Sequence, residues 1–268
     1  MPATPAWPPR SAPRLFVADE LAAGRIIAID GQQAHYLGKV MRVREDDAVI
    51  LCDNVTGEWA CRVGQVGKRR IDLNVVERLR ERENVPDFWL CPALLKKDRF
   101  DLVLEKSTEL GVAAIRPVLM RRCVADKLNL ERARTITIEA AEQCARTALP
   151  EVKEPVKLEA LLRDWPADRT LYFADEIGGE PAAELFAEQS ELLRKQEPRN
   201  MDSGFRRKSP RTAILIGPEG GFDDAERKLL ISHPQVKPIS LGPRILRGET
   251  AAIAATALWM GAAGDWSN

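Results

Sequence analysis

The sequence predicts an α/β protein in which a small β-barrel precedes a mostly parallel sheet covered by helices. In the first part of the chain, short apolar runs follow one another between turns, which is typical of a small barrel. In the later part, apolar runs alternate with helical segments, which indicates parallel strands joined by crossover helices. A charged segment that ends in proline, 78–86, is the predicted linker. The predicted division is a flexible arm at 1–13, the barrel at 14–84 and the helix-covered sheet at 85–268.

Five strand-like runs build the predicted barrel. They lie at 14–17, 25–29, 48–52, 59–66 and 70–76. A helical stretch at 33–41 interrupts them, and His35, Lys39, Arg42 and Arg44 cluster along it and at its exit. Such a cluster is either a solvated surface or a contact for the phosphates of RNA.

Beyond the linker, strands and helices alternate. Strands are predicted at 88–94, 113–120, 170–174, 213–216 and 236–240, and helices at 97–110, 130–148 and 250–260. Asp223 and Glu226 have the spacing of a capping box at the start of a further helix. On the helix at 130–148, Glu139, Glu142 and Arg146 are predicted to share one face.

One segment does not fit this alternation. Residues 191–211 are rich in Arg and Lys, contain two prolines and have little apolar content. The segment is therefore predicted to be a mobile loop. A solvated insertion and a contact to RNA phosphate both remain open for it.

Composition excludes several classes of protein. Of the 268 residues, 45% are hydrophobic and 30% charged, as in an ordinary globular protein. The formal net charge of zero argues against a protein that coats nucleic acid through bulk charge, so an RNA ligand would need local basic patches. Five scattered cysteines without a C-x-x-C pair, and two histidines, favour reduced thiols in a cytoplasmic protein over a metal site. No apolar run is long enough for a membrane span, and 1–13 lacks the features of a secretory signal.

Two Gly- and Pro-rich loops stand out as a candidate ligand site. Ile216-Gly217-Pro218-Glu219-Gly220-Gly221 follows one predicted strand, and Leu241-Gly242-Pro243-Arg244-Ile245-Leu246-Arg247-Gly248-Glu249-Thr250 follows the next. Loops of this kind expose backbone groups at the edge where open α/β sheets bind ligands. They lack the Gly-Lys-Ser/Thr of a P-loop and the spacing of a Rossmann fingerprint. Two ordinary turns remain the alternative.

The same two loops carry a resemblance. Leu-Ile-Gly-Pro-Glu-Gly-Gly-Phe, followed by Leu-Gly-Pro-Arg-Ile-Leu-Arg-x-Glu-Thr-Ala, resembles the ribosomal small-subunit methyltransferase E family. That family belongs to the SPOUT class and uses S-adenosyl-L-methionine to methylate N3 of a uridine in 16S rRNA. The resemblance implies a deep trefoil knot, a PUA-like barrel and a homodimer. It also implies that a third loop, here 174–177, converges on the cofactor.

The resemblance further implies roles for individual residues. The cofactor would be held by Gly217, Pro218, Glu219, Gly220, Gly221, Leu241, Gly242, Ile245, Leu246 and Thr250. Arg247 would stabilise the uracil anion or a phosphate, and Glu249 or Glu219 would be the base or an orienting carboxylate. For Glu249, complementing the dipole of the last helix is an equal alternative.

RNA contacts are implied for a separate set of residues. They are Arg14, His35, Arg42, Arg44, Arg122 and Arg146. Three positions depart from the family pattern: Met41 replaces Leu, Ala145 replaces Gly, and Gly248 stands where Thr or Ala is frequent. Because of Ala145 and Gly248, a non-catalytic RNA-binding protein of the same fold remains an alternative, and a nucleotide-binding enzyme of other chemistry is a third.

Overall fold

The structure, a computed structural model, describes residues 7–196 and 210–267. Contacts within the chain divide it into two compact units, residues 1–84 with 141–149, and residues 85–140 with 150–268. The predicted barrel and the helix-covered sheet meet at one boundary, after residue 84, whereas the contacts also group 141–149 with the first unit. Within the described part of the chain, no helix is long and apolar enough to cross a membrane.

The first unit is a five-stranded sheet. Its elements are β1 (Arg14–Phe16), β2 (Ile26–Ile29), α1 (Gly31–His35), a π-helical stretch (Tyr36–Val40), β3 (Ala48–Cys52), β4 (Glu58–Val66) and β5 (Ile71–Arg80). The strand order is β1-β3-β4-β5-β2, and all pairs except β1 with β3 are antiparallel. Apolar side chains from the strands and from α1 form its core, with Leu37, Val49 and Leu73 fully buried.

Two boundaries of the first unit differ from the prediction. The helix at 33–41 begins two residues earlier and changes to π-helical geometry at Tyr36. The linker was predicted to begin at residue 78, but β5 continues to Arg80 because Arg78 and Arg80 pair with Trp59 and Glu58 on β4. The charged end of a strand and a charged linker have the same composition, so the pairing partner decides between them.

The second unit alternates strands and helices, and one of its helices, α3, ends in residues that the contacts group with the first unit. Its elements are β6 (Phe88–Pro92), α2 (Lys97–Glu109), β7 (Ala114–Ile115), β8 (Val118–Leu119), α3 (Leu130–Cys144), β9 (Glu151–Val152), β10 (Val156–Lys157), α4 (Leu158–Arg163), β11 (Thr170–Ala174), β12 (Glu180–Pro181), α5 (Ala182–Gln196), β13 (Thr212–Ile216), α6 (Asp224–Ser232), β14 (Val236–Ser240) and α7 (Gly248–Ala263). A short 3-10 helix follows at Asp265–Ser267.

Seven of these strands form one sheet, in the order β12-β14-β11-β13-β6-β7-β9. Every pair in it is parallel, which confirms the predicted mostly parallel α/β class. Alternate residues of a strand face opposite sides of the sheet. Accordingly, Tyr172 and Ile214 pack with α2, α5 and α7 on one side, whereas Phe173 and Leu215 pack with α4 and α6 on the other.

The last helix is anchored firmly on the sheet. Trp259 on α7 is fully buried and stacks on Phe88 of β6, with the ring centroids 4.4 Å apart. Stacking of this kind adds to the free energy gained by burying two large aromatic side chains. It fixes the position of α7, whose first turn, Gly248 to Ala251, lies at the carboxyl edge of the sheet.

Several predicted elements of the second unit need correction. The strand at 113–120 is two short strands, since Pro117 between them lacks an N–H for the ladder. The helix at 130–148 ends at Cys144 because Ala145 has a φ of 60°, so Arg146 does not share the helical face of Glu142. The predicted mobile loop at 191–211 is helical as far as Gln196, and 197–209 lie outside the described residues.

Two further details concern the ends of helices. The capping box of α6 is confirmed, with Asp223 accepting from the Glu226 N–H and Glu226 accepting from the Asp223 N–H. The last helix runs from Gly248 to Ala263 and is longer than the predicted 250–260. The deep trefoil knot implied by the resemblance stays a prediction.

Candidate functional site

Three loops at the carboxyl ends of β11, β13 and β14 enclose a cavity of about 500 Å³. It is lined by 174–179, 216–219 and 240–248, together with Arg99, Phe222 and Ala251. The three strands are neighbours in the sheet, so their ends deliver the loops to one place. The volume is in the range of small-molecule sites, and the lining combines backbone groups with apolar side chains, as such sites do.

Two glycines fix the course of the loops. Gly221 and Gly242 have φ angles of 68° and 107°, a region that other residues adopt only with strain. At Gly221 a Cβ would also approach the Glu176 carboxylate to 3.1 Å, so the loop after β13 lies close against the loop after β11.

The loop after β13 is braced from the segment that follows β8. Arg122 donates from Nη1 to the carbonyl oxygen of Gly220 at 2.7 Å and to that of Phe222 at 3.2 Å. The backbone N–H of Arg121 donates to Glu226 at 2.7 Å, which ties this segment to the capping box of α6. These contacts hold the loop in its cavity-lining conformation.

Arg99 contributes a charge to the cavity that the sequence motifs do not predict. Its Nη1 lies 3.6 Å from Glu219 Oε1 and its Nε lies 3.8 Å from Glu249 Oε1. Arg99 is in the first turn of α2, after Lys96 and Lys97. Cations are unfavourable at the positive N-terminal end of a helix dipole. An arginine in the first turn of a predicted helix is therefore unusual, and this was the sequence signal that could have pointed to Arg99.

The structure brings most of the predicted cofactor residues together. Gly217, Pro218, Glu219, Leu241, Gly242, Ile245 and Leu246 line the cavity, as does the predicted catalytic residue Arg247. The predicted third loop, 174–177, also lines it and continues to Gly179. Gly220, Gly221, Glu249 and Thr250 adjoin these residues in the chain but are not part of the lining. Their roles in binding and catalysis stay predictions.

The residues predicted to bind RNA belong to both units and differ in exposure. His35, Arg42 and Arg44 are exposed in the first unit. Arg14 is ion-paired with Glu58 at 2.6 Å, and Arg146 is only 5% exposed, with its Nε 3.6 Å from Glu83. Arg122 lies in the second unit, where it braces the loop after β13.

The structure explains two of the departures from the family pattern, at Ala145 and Gly248, by their surroundings. Ala145 adopts a φ of 60°, a conformation that glycine reaches without strain, so the glycine of the family pattern suits this turn. At Gly248 a Cβ would lie 3.0 Å from Leu95 Cδ2, so a larger residue requires that leucine to move. Gly248 therefore suits the close approach of Leu95, and it is itself part of the cavity lining.

The cysteines do not contribute reactive thiols to the cavity. All five cysteines have free thiols, and none of them lines the cavity. Burial raises the pKa of Cys52, Cys61 and Cys91 to about 12 in each case, so these thiols stay protonated at neutral pH.

Comparison with known proteins identifies the family. A family model described as an RNA methyltransferase domain matches residues 81–260, and one described as an RNA methyltransferase PUA domain matches residues 29–76. Over 245 residues the chain is 30% identical to ribosomal RNA small subunit methyltransferase E of Rickettsia conorii, covering 91% of this chain and 93% of that protein. The chain belongs to the ribosomal RNA small subunit methyltransferase E family.

Solved structures agree with this assignment. Ribosomal RNA small subunit methyltransferase E of Neisseria gonorrhoeae, bound to S-adenosyl methionine, superposes with a TM-score of 0.79 at 26% identity over 95% of this chain and 99% of that chain. A protein from Legionella pneumophila in complex with the cofactor SAM superposes with a TM-score of 0.77 at 28% identity, again over 95% of this chain and 99% of that one. The family fold therefore extends over nearly the whole chain.

Proposed function

We propose that this protein transfers the methyl group of S-adenosyl-L-methionine to N3 of a uridine in the 16S rRNA of the small ribosomal subunit. The observation that carries the proposal is the cavity of about 500 Å³ at the ends of β11, β13 and β14, lined by the two loops that resemble the family. Relatives named ribosomal RNA small subunit methyltransferase E cover the chain, and two similar structures hold the cofactor.

The lining suits an adenosyl group. Leu241, Ile245 and Leu246 offer apolar side chains, and the adjoining backbone offers donors and acceptors for the edge of a base. Ile245 is 83% exposed and Ile177 is 76% exposed, although both line the cavity. A bound adenosyl group would cover apolar surface that is otherwise in contact with water.

The chain's own residues have to prepare the uridine. The N3 atom carries a proton at neutral pH and is a poor nucleophile until that proton is removed, and the cofactor supplies an electrophilic methyl group. In this proposal, Glu249 or Glu219 accepts the proton from N3 or orients the uracil ring. Arg247, exposed at the start of α7, stabilises the negative charge that develops on the uracil oxygens or holds a phosphate.

In this proposal, the first unit provides a binding surface for RNA phosphates. Four exposed cations or potential cations lie on one stretch of chain within the residues that match the PUA model: His35, Lys39, Arg42 and Arg44. A local basic cluster of this kind binds phosphate without requiring a basic protein overall. A cytoplasmic location follows from the proposed rRNA substrate.

We further propose that the protein acts as a homodimer, as the resemblance to SPOUT enzymes implies. Sedimentation of the active protein at assay concentration tests this. A monomer with full methyl-transfer activity would contradict it.

Methyl transfer from tritiated S-adenosylmethionine tests the function directly. We expect labelling of 16S rRNA, with free RNA and assembled small subunits compared side by side and the modified nucleotide mapped by mass spectrometry. Calorimetry with the cofactor alone separates the alternatives. Absence of both binding and transfer would favour the non-catalytic RNA-binding protein.

A further inference from the structure

Arg99 lies between two carboxylates that come from distant parts of the chain. Glu219 is in the loop after β13, Glu249 is in the first turn of α7, and Arg99 is in the first turn of α2. The guanidinium is 3.6 Å from the first carboxylate and 3.8 Å from the second. It therefore joins three elements at the wall of the cavity, which Arg99 and Glu219 both line.

The negative charges of Glu249 and Glu219 require a cation nearby, and Arg99 supplies it. The Glu249 side chain is only 11% exposed, and its Oε2 atom has no hydrogen-bond partner among the described residues. A buried carboxylate is costly without a compensating cation, and a second carboxylate nearby adds repulsion. Within the described ranges, Arg99 is the cation that lies within 4 Å of either group.

The two contacts are loose. At 3.6 and 3.8 Å they exceed the length of a hydrogen-bonded ion pair, which is about 2.7–2.9 Å. Arg99 thus balances the charge of the carboxylates without occupying their oxygens through direct hydrogen bonds. At Glu219, which lines the cavity, the oxygens therefore stay available to accept a proton from a substrate.

We propose that Arg99 is a positioning residue, which holds Glu219 of the cavity lining and the adjoining Glu249 together so that one of them can act on the target base. This inference rests on the proposed methyl transfer. Arg99 acts through the carboxylates, so its loss affects the chemical step more than the binding of the cofactor. A shift of a catalytic group by about 1 Å can lower a rate by about 10²-fold.

Three variants of the full chain test the inference. Arg99→Gln removes the charge, and Arg99→Lys keeps it. Lys97→Gln is the matched control, since it removes an exposed cation from the same helical turn. For each variant, kcat, the KM for RNA and the Kd for S-adenosylmethionine are measured.

We expect Arg99→Gln to lower kcat by about 10²-fold with the Kd for the cofactor changed by less than about threefold. Arg99→Lys should recover part of the rate, and Lys97→Gln should match the wild type. A wild-type kcat in Arg99→Gln, or a rise in the KM for RNA alone, would overturn the inference. The latter result would make Arg99 an RNA contact.

Thermal unfolding without RNA or cofactor supplies an independent readout. If Arg99 balances Glu249, Arg99→Gln lowers the Tm by about 2–4 °C in the wild-type background and by much less in Glu249→Gln. An equal decrease in both backgrounds would refute the contact. An inactive wild-type protein would instead overturn the proposed function, and the catalytic role of Arg99 with it.

Discussion

The guanidinium of Arg227 on α6 holds the buried carboxylate of Asp175 in the loop after β11. Nη2 of Arg227 lies 2.8 Å from Oδ2 of Asp175, and Nε donates to both carboxylate oxygens, at 2.9 and 3.2 Å. The Asp175 side chain is only 2% exposed. It also accepts from the Ile177 N–H at 3.2 Å, so the pair fixes the backbone of one wall of the cavity.

Arg227→Gln should therefore weaken cofactor binding. Without its cation, the buried Asp175 carboxylate loses its partner and the 174–179 loop loses its support. We expect the Kd for S-adenosylmethionine to rise on the order of tenfold in calorimetry. Lys228→Gln, an exposed neighbour on the same helix, is the control and should bind normally. Unchanged affinity in Arg227→Gln would show that the pair is not needed for the shape of the cavity.

Arg247→Ala should lower methyl transfer by two to three orders of magnitude, roughly the effect of removing one electrostatic stabiliser of a transition state. The fold should be preserved, because the exposed Arg247 side chain provides no capping hydrogen bond to α7. Rates in single-turnover assays and far-UV circular dichroism check both parts. Near-normal turnover would remove Arg247 from the site.

Reversing the charge of Arg42 and Arg44 together should weaken RNA binding. Both side chains are exposed in the first unit, where the sequence predicts a phosphate contact. We expect about a tenfold loss of affinity and a smaller dependence of affinity on salt, since fewer counterions are released. Filter binding at several salt concentrations measures this, with Lys68→Glu as the control. If affinity is unchanged, the first unit has a purely structural role.

The ion pairs of Glu58 predict a dependence of stability on pH. Burial by itself would raise the pKa of Glu58, but hydrogen bonds and charge from Arg80 and Arg14 outweigh it and hold the pKa below its ordinary value of 4.5. A carboxylate with a lowered pKa stabilises the fold above pH 4.5, and this contribution is lost as the pH falls through the folded-state pKa.

Glu58→Gln should accordingly destabilise the protein by about 1–2 kcal/mol at pH 7, a modest figure because Arg80 is 43% exposed. Urea unfolding between pH 7 and about pH 3 should show the difference from wild type disappearing on the acid side. Glu81→Gln, whose carboxylate is 81% exposed, should have little effect at any pH. A difference that stays constant with pH would contradict the ion-pair explanation.

Ala145→Gly should stabilise the protein by about 1 kcal/mol, because alanine is strained at a φ of 60° and glycine is not. Ala187→Gly, at an exposed position inside α5, is the opposite case and should destabilise by about 1 kcal/mol. Chemical denaturation midpoints measure both changes. Destabilisation by Ala145→Gly would mean that the left-handed conformation is not strained in solution.

The parts of the fold that the sequence predicts well are those decided by local pattern. The strands at 48–52, 170–174 and 236–240 have the predicted bounds, and the capping box of Asp223 starts α6 as expected. In each case the signal lies within a few residues. The end of α3 at Cys144 was not predicted because alanine favours a helix, and only the glycine of the family pattern at position 145 points to a left-handed residue there.

In the candidate site, too, local motifs are predictable from the sequence, whereas residues joined by tertiary contacts are not. The loops at 217–221 and 241–250 are visible as motifs, whereas Arg99 and Gly179 join the cavity only through tertiary contacts. Gly179 has a φ of 129°, and a Cβ there would meet the backbone of Ile239 at 2.8 Å, a clash that sequence alone does not show. Likewise, the pairing of Arg78 and Arg80 with β4 determines where the linker begins.

In the sheet, β11 lies between β14 and β13, two strands that follow it in the chain. The first of the three lining loops, at 174–179, is therefore synthesised about 65 residues before the last one, at 240–248. A nascent chain has no complete pocket until β14 has emerged and paired. A chain cut short before residue 251 lacks part of the lining, so the methyl donor finds a complete site only after β14 and the first turn of α7 have joined the earlier loops.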